Sequence, residues 1–206
     1  MPLKLLIVAI LLLPVRLSAA TELSIQGTRF AINGRPAFIL GISYYAALGA
    51  SDEFIQKDLD DIQHAGFNWI RVWADWTAFG NDISAVSTDG SPRQPYLGRL
   101  RKLIEACEKR GLIVDITLSR DARANPPRLA SDADHLRAIE TLVFELKPFR
   151  NWYLDLGNER NVRDGRFVSF LSLKKLRDRA KELDPTRLIT ASHSSSDEDL
   201  LHDLPE

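Results

Sequence analysis

The sharpest chemical signal in the sequence is an asparagine–glutamate pair, Asn158-Glu159, at the end of the apolar run WYLDLG. An acid that ends a buried strand lies at the mouth of a sheet, partly withdrawn from water, where it can exchange protons with a bound molecule. The same glutamate could instead begin a surface loop and pair with Arg160 or Arg163. Taken alone, the dipeptide is compatible with both interpretations. Arg71, at an equivalent depth in an earlier run, favours the acid–base interpretation.

Aromatic and polar side chains also follow the other apolar runs. The carboxyl ends of parallel strands meet at one edge of a sheet, so these side chains are expected to lie near Glu159. Aromatic rings stack on the C–H faces of sugars, while amides and carboxylates bind sugar hydroxyl groups. The set therefore predicts a sugar site with a proton donor for the leaving oxygen of a glycosidic bond. Its members are Tyr44, Tyr45, Arg71, Trp73, Asp75, Trp76, Ser119, Arg120, Asp121, Asn158, Glu159, Ser192 and His193.

Individual members of this set carry different expectations. Trp69 and Trp152 stand early in their runs and are expected to pack inside the protein rather than bind a ligand. His193 either faces the mouth of the site or lies in a solvated loop. Asp75 and Asp121 are expected in surface ion pairs, because nothing in their spacing recommends a catalytic role. The predicted sugar platforms are Tyr44, Tyr45, Trp73 and Trp76.

The chain that must position these groups alternates strand and helix patterns. Short runs rich in β-branched and aromatic residues are typical of strands buried on both faces of a parallel sheet. Amphipathic segments between the runs predict crossover helices and hence an α/β fold. Asn33-Gly34 predicts a hairpin turn ahead of the first run, and no glycine-rich phosphate-binding motif follows any run. The predicted strands are 38–43, 68–73, 112–118, 152–157 and 187–191.

Capping residues mark the ends of the predicted helices. Ser51 and Ser131 precede the first and third helices, and Gly66 and Gly111 follow the first and second; these are preferred residues at such positions. The fourth helix is predicted near residues 166–183. The residues expected to face the core are Ile55, Leu59, Ile62, Leu97, Leu100, Ile104, Cys107, Leu136, Ile139, Val143, Leu146, Phe167, Phe170, Leu176, Ala180 and Leu183.

Composition excludes several classes of function. The 206 residues include 27 basic and 28 acidic side chains, which argues against a partner bound through nucleic-acid phosphates. A single cysteine, Cys107, excludes an internal disulfide framework, and its helical spacing predicts a small core residue. No His, Asp or Glu grouping has metal-ligand spacing, so neither a metal nor a cofactor is expected. The histidines expected at the surface or in the tail are His64, His135 and His202.

The first 20 residues have the features of a secretory signal peptide. Lys4 precedes an apolar run over residues 5–13, and the small residues Ser18 and Ala20 stand at the −3 and −1 positions of a cleavage site. That run is too short to span about 30 Å of hydrocarbon, which disfavours a membrane anchor. The sequence predicts a secreted or periplasmic protein without membrane attachment after cleavage.

The sequence resembles the retaining β-glycosidases of the large (β/α)8 clan that includes glycoside hydrolase family 5, the cellulases and the mannanases. The segments FAINGRPAFILGISYY, NWIRVW and WYLDLGNE carry this resemblance, which extends over residues 30–191. It implies a TIM-type (β/α)8 barrel with Glu159 as the general acid/base. It further implies that Asn158 binds the sugar 2-hydroxyl and that Arg71 steadies a second carboxylate.

Two positions depart from the family pattern. Arg160 follows the glutamate where many members have proline, and Ser119-Arg120 stands where many members have histidine at the end of strand three. Neither departure removes the acid, but both bear on which substrate the resemblance implies.

The second carboxylate of the family mechanism is not found in the predicted strands. A retaining enzyme needs a nucleophile about 5–5.5 Å from its acid, and the family places it at the end of strand seven. Glu198 and Glu206 follow Glu159 too closely to end that strand. The expectation is an incomplete barrel of about five βα units behind an N-terminal hairpin, with residues 21–206 forming the N-terminal portion of a hydrolase barrel.

The partner implied by the resemblance is a β-linked oligosaccharide or polysaccharide. The alternative is a non-catalytic carbohydrate-binding protein, or a degenerate glycosidase-like one, that uses the same groove. A different hydrolase built on this barrel would need a metal-ligand set that the sequence does not offer. The oligomeric state is not indicated.

Overall fold

A computed structural model describes residues 20–78 and 80–194. At its N-terminal end β1 (Leu23–Gln26), β2 (Arg29–Ile32) and β3 (Arg35–Pro36) form an antiparallel sheet with β2 in the middle. Asn33 and Gly34 turn the chain between β2 and β3 with φ of 52° and 73°, a left-handed conformation that these residue types adopt readily. The predicted hairpin is confirmed, with three strands instead of two.

The larger sheet is parallel and contains all of the strands predicted from the apolar runs. Its order is β10-β9-β8-β5-β4, and every neighbouring pair is parallel. A small antiparallel hairpin, β6 with β7, lies in the long segment after β5. The bounds are β4 (Gly41–Ser43), β5 (Trp69–Trp73), β6 (Thr77–Ala78), β7 (Asn81–Asp82), β8 (Ile113–Thr117), β9 (Trp152–Asp155) and β10 (Ile189–Thr190).

Helices connect the parallel strands as predicted. The described α-helices are α1 (Asp52–His64), α2 (Tyr96–Lys109), α3 (Asp132–Leu146) and α4 (Phe170–Leu183), and a short 3-10 helix covers Ala47–Gly49. The Ser51 side chain accepts a hydrogen bond from the Phe54 amide, and Ser131 forms a reciprocal capping box with Asp134. Both serines therefore satisfy backbone donors that a helix start leaves unpaired.

The main core lies between the helices and one face of the parallel sheet. Ile70, Val72, Val114, Ile116 and Leu154 are fully buried on the strands and belong to one cluster with the apolar sides of the helices. Cys107 is a buried, free thiol in this cluster, and burial raises the pKa of its sulfhydryl. The prediction that it is a core residue is confirmed.

The start of α4 differs from the sequence prediction. Asp164 accepts a hydrogen bond from the Arg166 amide at 2.8 Å, a local turn that competes with helix formation. The helix begins only after Ser169, which caps it. Phe167 therefore precedes the helix, and both it and Phe170 are exposed; the prediction that they are buried is wrong.

His135 lies inside the protein, which corrects the prediction that it is a surface residue. It is fully buried on α3, and its Nδ1 accepts a hydrogen bond of 3.1 Å from Arg120 Nε. Burial, together with the positive charge of Arg120, lowers the pKa of His135 to about 3. The imidazole is therefore neutral at physiological pH.

None of the helices in residues 20–78 and 80–194 is long and apolar enough to span a membrane. Residues 1–19 of the predicted signal peptide, and also His202, Glu198 and Glu206, lie outside the described residues.

Candidate functional site

Arg71 is the centre of a polar network on the second face of the parallel sheet. Ile70 and Val72 on either side of it point into the helix-packed core, so the alternation along β5 turns Arg71 to the opposite face. Its Nη2 donates to Asp155 Oδ2 at 2.7 Å and to Asn158 Oδ1 at 3.1 Å. One guanidinium thus joins β5 to the end of β9.

Further contacts of Arg71 extend the network to two other strands. Its Nε donates to Thr117 Oγ1 on β8 at 2.8 Å, and its Nη2 lies 3.3 Å from the hydroxyl of Ser192, just beyond β10. The carboxyl ends of β5, β8, β9 and β10 are therefore connected by one side chain.

Two buried aspartates beside Arg71 were not recognised in the sequence. Asp115 accepts hydrogen bonds from Thr117 Oγ1 at 3.0 Å and from the Tyr153 hydroxyl at 3.1 Å, and its Oδ2 lies 3.7 Å from Arg71 Nε. Burial, and then the charge of Asp155, raise the pKa of Asp115 to about 7. The available signal was a lone aspartate inside each of two otherwise apolar strands, which is costly unless paired.

Glu159 lies at the carboxyl edge of the sheet, as its position after β9 predicted. Its backbone has a φ of 46°, and its amide donates to Ser192 Oγ at 3.0 Å. Its carboxylate contacts Arg166 Nη1 and is 42% exposed. Arg166 is in turn held by Asp164, with Nη2 2.9 Å from Oδ2.

The arginines suggested as partners of Glu159 from the sequence are placed differently. Arg160 is buried and donates to the Val168 carbonyl at 3.2 Å. Its Nη2 also lies 2.5 Å from His193 Nε2. His193, another residue predicted for the sugar site, therefore lies beside Arg160. The ion pair of Glu159 is formed by Arg166 instead, a residue that sequence spacing alone did not single out.

The aromatic side chains at this edge form a cluster. Tyr45 stacks on Trp73 with ring centroids 4.7 Å apart, and Trp76 lies 5.2 Å from Trp73. The guanidinium of Arg71 lies 4.7 Å from the Trp73 ring centre. Because Trp73 is only 6% exposed, its ring is enclosed and does not present a free face. The role of Trp73 in a sugar site stays a prediction.

Tyr44 is bonded to the first helix. Its hydroxyl donates to Asp58 Oδ2 on α1 at 2.5 Å, and burial raises its pKa. The following residue, Tyr45, is 55% exposed and stacks on the cluster. Tyr45 is therefore the side chain that offers an aromatic face at this edge.

A cavity of about 340 Å³ opens beside Asn158 and Arg166. Asp75 lines it and is buried, with both carboxylate oxygens within 3.0–3.2 Å of the Ser119 amide. Burial raises the pKa of Asp75 well above its ordinary value, although the nearby charge of Arg128 opposes this. The expectation of a surface ion pair for Asp75 is wrong. The remaining lining residues are Trp76, Thr77, Arg120, Asp121 and Arg128.

Within the described ranges, no three His, Cys, Asp or Glu side chains are grouped as a metal ion would require. The sequence matches no protein-family model. It also matches no curated protein sequence.

Solved structures share the fold. A Bacteroides vulgatus protein described as a glycoside hydrolase aligns with a TM-score of 0.70 and 18% identity over 86% of this chain. The β-mannanase of the blue mussel Mytilus edulis aligns at 0.61 and 18% over 85%. A family 5 glycoside hydrolase of B. vulgatus aligns at 0.62 and 13% over 84%.

This chain spans 39%, 64% and 40% of the lengths of those three proteins, respectively. At these identities the shared feature is the fold. The chain therefore has a partial (β/α)8 fold of the kind found in family 5-like, clan A glycoside hydrolases.

Proposed function

We propose that the chain is the first part of the barrel of an exported, retaining glycoside hydrolase that acts on a β-linked glycan. The observation that carries this proposal is the hydrogen bond from Arg71 to Asn158, with Glu159 beside it at the carboxyl edge of the sheet. Export rests on the signal-peptide pattern of residues 1–20.

The proposed roles use atoms that the network leaves available. Asn158 Oδ1 accepts from Arg71, so its amide nitrogen is turned to the sugar 2-hydroxyl. Glu159 donates a proton to the departing sugar oxygen and later removes one from the attacking water. Because the departing sugar oxygen must come within hydrogen-bond distance of Glu159, glycan entry has to separate the Glu159 carboxyl group from Arg166.

The nucleophile is proposed to belong to a strand beyond β10. Arg71, already bonded to Asp155 at 2.7 Å, would steady that carboxylate with its positive charge. None of the carboxylates that the network uses is assigned this role.

The named neighbours support a β-linked saccharide as the partner. Two are mannanases, from the blue mussel and from Rhizomucor miehei. A family 5 protein from Streptomyces cattleya is described in complex with GlcNAc, and its variant with a β1-4-linked mannosyl-GlcNAc disaccharide. We therefore propose β-1,4-linked mannose- or GlcNAc-containing glycans as the first compounds to test.

The test measures glycan binding and hydrolysis by the full chain. We expect β-1,4-linked oligosaccharides to bind, and Tyr45→Ala to weaken binding about tenfold because it removes the exposed ring. Phe144→Ala, a change at an exposed ring on α3, is the matched control and should leave binding unchanged. Equal glycan binding by the wild-type chain and Tyr45→Ala would contradict a sugar site at the carboxyl edge of the sheet.

Hydrolysis of aryl β-glycosides tests the place of the nucleophile. We expect no turnover by the full chain, since the proposed mechanism assigns the nucleophile to a later strand. If the wild-type chain hydrolyses the glycoside and Glu159→Gln abolishes this activity, Glu159 is supported as the acid. The nucleophile would then lie within these 206 residues. Turnover unaffected by this change would refute the role of Glu159.

A second candidate function is carbohydrate binding without catalysis. The ion pair between Glu159 and Arg166 favours it, because Arg166 occupies the carboxylate that a departing sugar oxygen would have to reach. A longer polypeptide that includes three further strands and hydrolyses glycans would exclude this candidate.

A further inference from the structure

The cavity beside Asn158 is lined by three arginines, Arg120, Arg128 and Arg166. The acidic partners are Asp132 for Arg120, Asp82 for Arg128, and Asp164 and Glu159 for Arg166. None of these four acids lines the cavity. The cavity surface therefore carries more positive than negative groups, although each guanidinium is held in place by an acid outside it.

Arg128 leaves several of its donors unused within the described residues. Its Nη1 donates to Ser84 Oγ at 2.7 Å and its Nη2 to Asp82 Oδ2 at 3.2 Å. A guanidinium has five N–H donors, and the others of Arg128 have no acceptor among the described residues. The side chain is 11% exposed and lines the cavity, so a molecule bound there can accept hydrogen bonds from these donors.

Other groups that line the cavity are also donors. Asn158 uses its oxygen to accept from Arg71, which leaves its amide N–H groups. Asp75 forms no ion pair with any described residue and is buried, and burial raises the pKa of its carboxyl group, which favours the uncharged form. Asp121, whose Oδ1 accepts from the amides of Arg123 and Ala124, is the remaining acid.

We propose that this cavity binds an acidic sugar unit of the glycan, with Arg128 facing its carboxylate. The inference rests on the proposed glycan-binding function and names the class of sugar. A carboxylate accepts several N–H donors at once and matches the fork of a guanidinium. A neutral sugar offers only uncharged hydroxyl groups, which form weaker hydrogen bonds with a guanidinium than a carboxylate does.

The test compares two matched probes with the full chain by calorimetry. One is a β-1,4-linked tetrasaccharide of neutral hexoses, and the other is the same tetrasaccharide with one hexose oxidised at C6 to a uronate. We expect the uronate to bind at least about tenfold more tightly at low salt, and its advantage to shrink as salt is raised.

Arg128→Gln should reduce the preference to within about twofold, because the charge is lost. Arg101→Gln, a change at an exposed arginine of α2 paired with Glu145, is the control and should leave the preference intact. Because Arg128 also donates a hydrogen bond to Ser84, the substitution could destabilise the fold. The urea unfolding midpoint of the Arg128→Gln variant is therefore compared with that of the wild-type chain.

Asp75→Asn provides a variant that leaves Arg128 untouched. Asparagine has nearly the shape of the aspartic acid side chain and carries no charge, so the preference for the uronate should persist. A large gain in that preference would show that Asp75 is an ionised group that repels the uronate, and the donor-rich cavity would be refuted.

The outcomes separate this inference from the proposed function. Equal affinity for both probes overturns the acidic-sugar inference and leaves the glycan site standing. Tighter binding of the neutral probe also overturns the acidic-sugar inference and leaves the glycan site standing. Failure of the chain to bind either probe overturns the glycan site itself, and with it this inference.

Discussion

Asp115→Asn should make the protein more stable at alkaline pH, and the size of the effect follows from the environment of the carboxyl group. The Asp115 side chain is 6% exposed, and burial with the nearby charge of Asp155 raises its pKa from 3.8 to about 7. The folded chain therefore binds this proton more tightly than the unfolded chain does. Asparagine keeps the shape of the protonated acid and cannot ionise.

The sign and magnitude can be worked out from linkage. Between pH 4 and 7 the native state holds more protons at Asp115 than the unfolded state, so rising pH lowers the free energy of unfolding. Three pH units at 1.36 kcal/mol each amount to about 4 kcal/mol. The stability of the variant relative to wild type should thus rise from near zero at pH 4 to about 4 kcal/mol at pH 8. This is an upper limit, because the variant loses the contact with Arg71 at 3.7 Å.

Urea unfolding followed by tryptophan fluorescence, repeated from pH 4 to 8, measures this difference. His135, whose pKa is lowered to about 3 by burial and by Arg120, makes stability rise with pH up to about 6.5. That contribution opposes the one from Asp115 within wild type. It is the same in both chains, so it cancels in the comparison.

Asp184→Asn is the matched control, with the opposite expected sign. Asp184 is also buried; burial acts to raise its pKa, but hydrogen bonds from Thr186 and the charge of Arg187 hold it below its ordinary value. Its variant should lose stability above about pH 4. A flat difference between Asp115→Asn and wild type, or a less stable variant at pH 8, would refute the reasoning about Asp115.

Two further predictions concern the scaffold. Gly41→Ala should cost about 3 kcal/mol or more by urea unfolding, because the added Cβ would lie 1.8 Å from the Trp69 carbonyl oxygen. Gly98→Ala, within α2, is its control and should stabilise by up to about 1 kcal/mol; a similar loss in both would remove the steric explanation. Ser131→Ala should cost about 1 kcal/mol by removing the acceptor of the Asp134 amide, and Ser131→Thr should recover most of it. No loss on Ser131→Ala would show that the cap is not needed.

Much of the scaffold could be predicted because its signals are local. Capping at Ser51 and Ser131 involves residues three positions apart, and the Asn33-Gly34 turn depends on the conformational preferences of those two residues. Where two local signals compete, prediction failed. The turn made by Asp164 and Arg166 delays the start of α4 and leaves Phe167 outside it.

The candidate site depends more strongly on contacts between distant parts of the chain. Arg71 and Asp115 are register partners on neighbouring strands, and a charged residue inside an apolar run does not reveal which strand will face it. Tyr44 and Tyr45 are adjacent in sequence, yet one contacts α1 and the other stacks on Trp73. After a strand ends, its alternation no longer predicts which side chain turns inward.

The sequence by itself determined the order of strands and helices and the position of Asn158-Glu159 at a strand end, because periodicity and capping act over a few residues. The tertiary structure decided the partners: Arg166 for Glu159, Asp155 for Arg71, and Arg120 for a buried His135. Burial and the charge of distant residues set the proton affinity of Asp75 and Asp115. Those quantities exist only once the strands have been brought side by side.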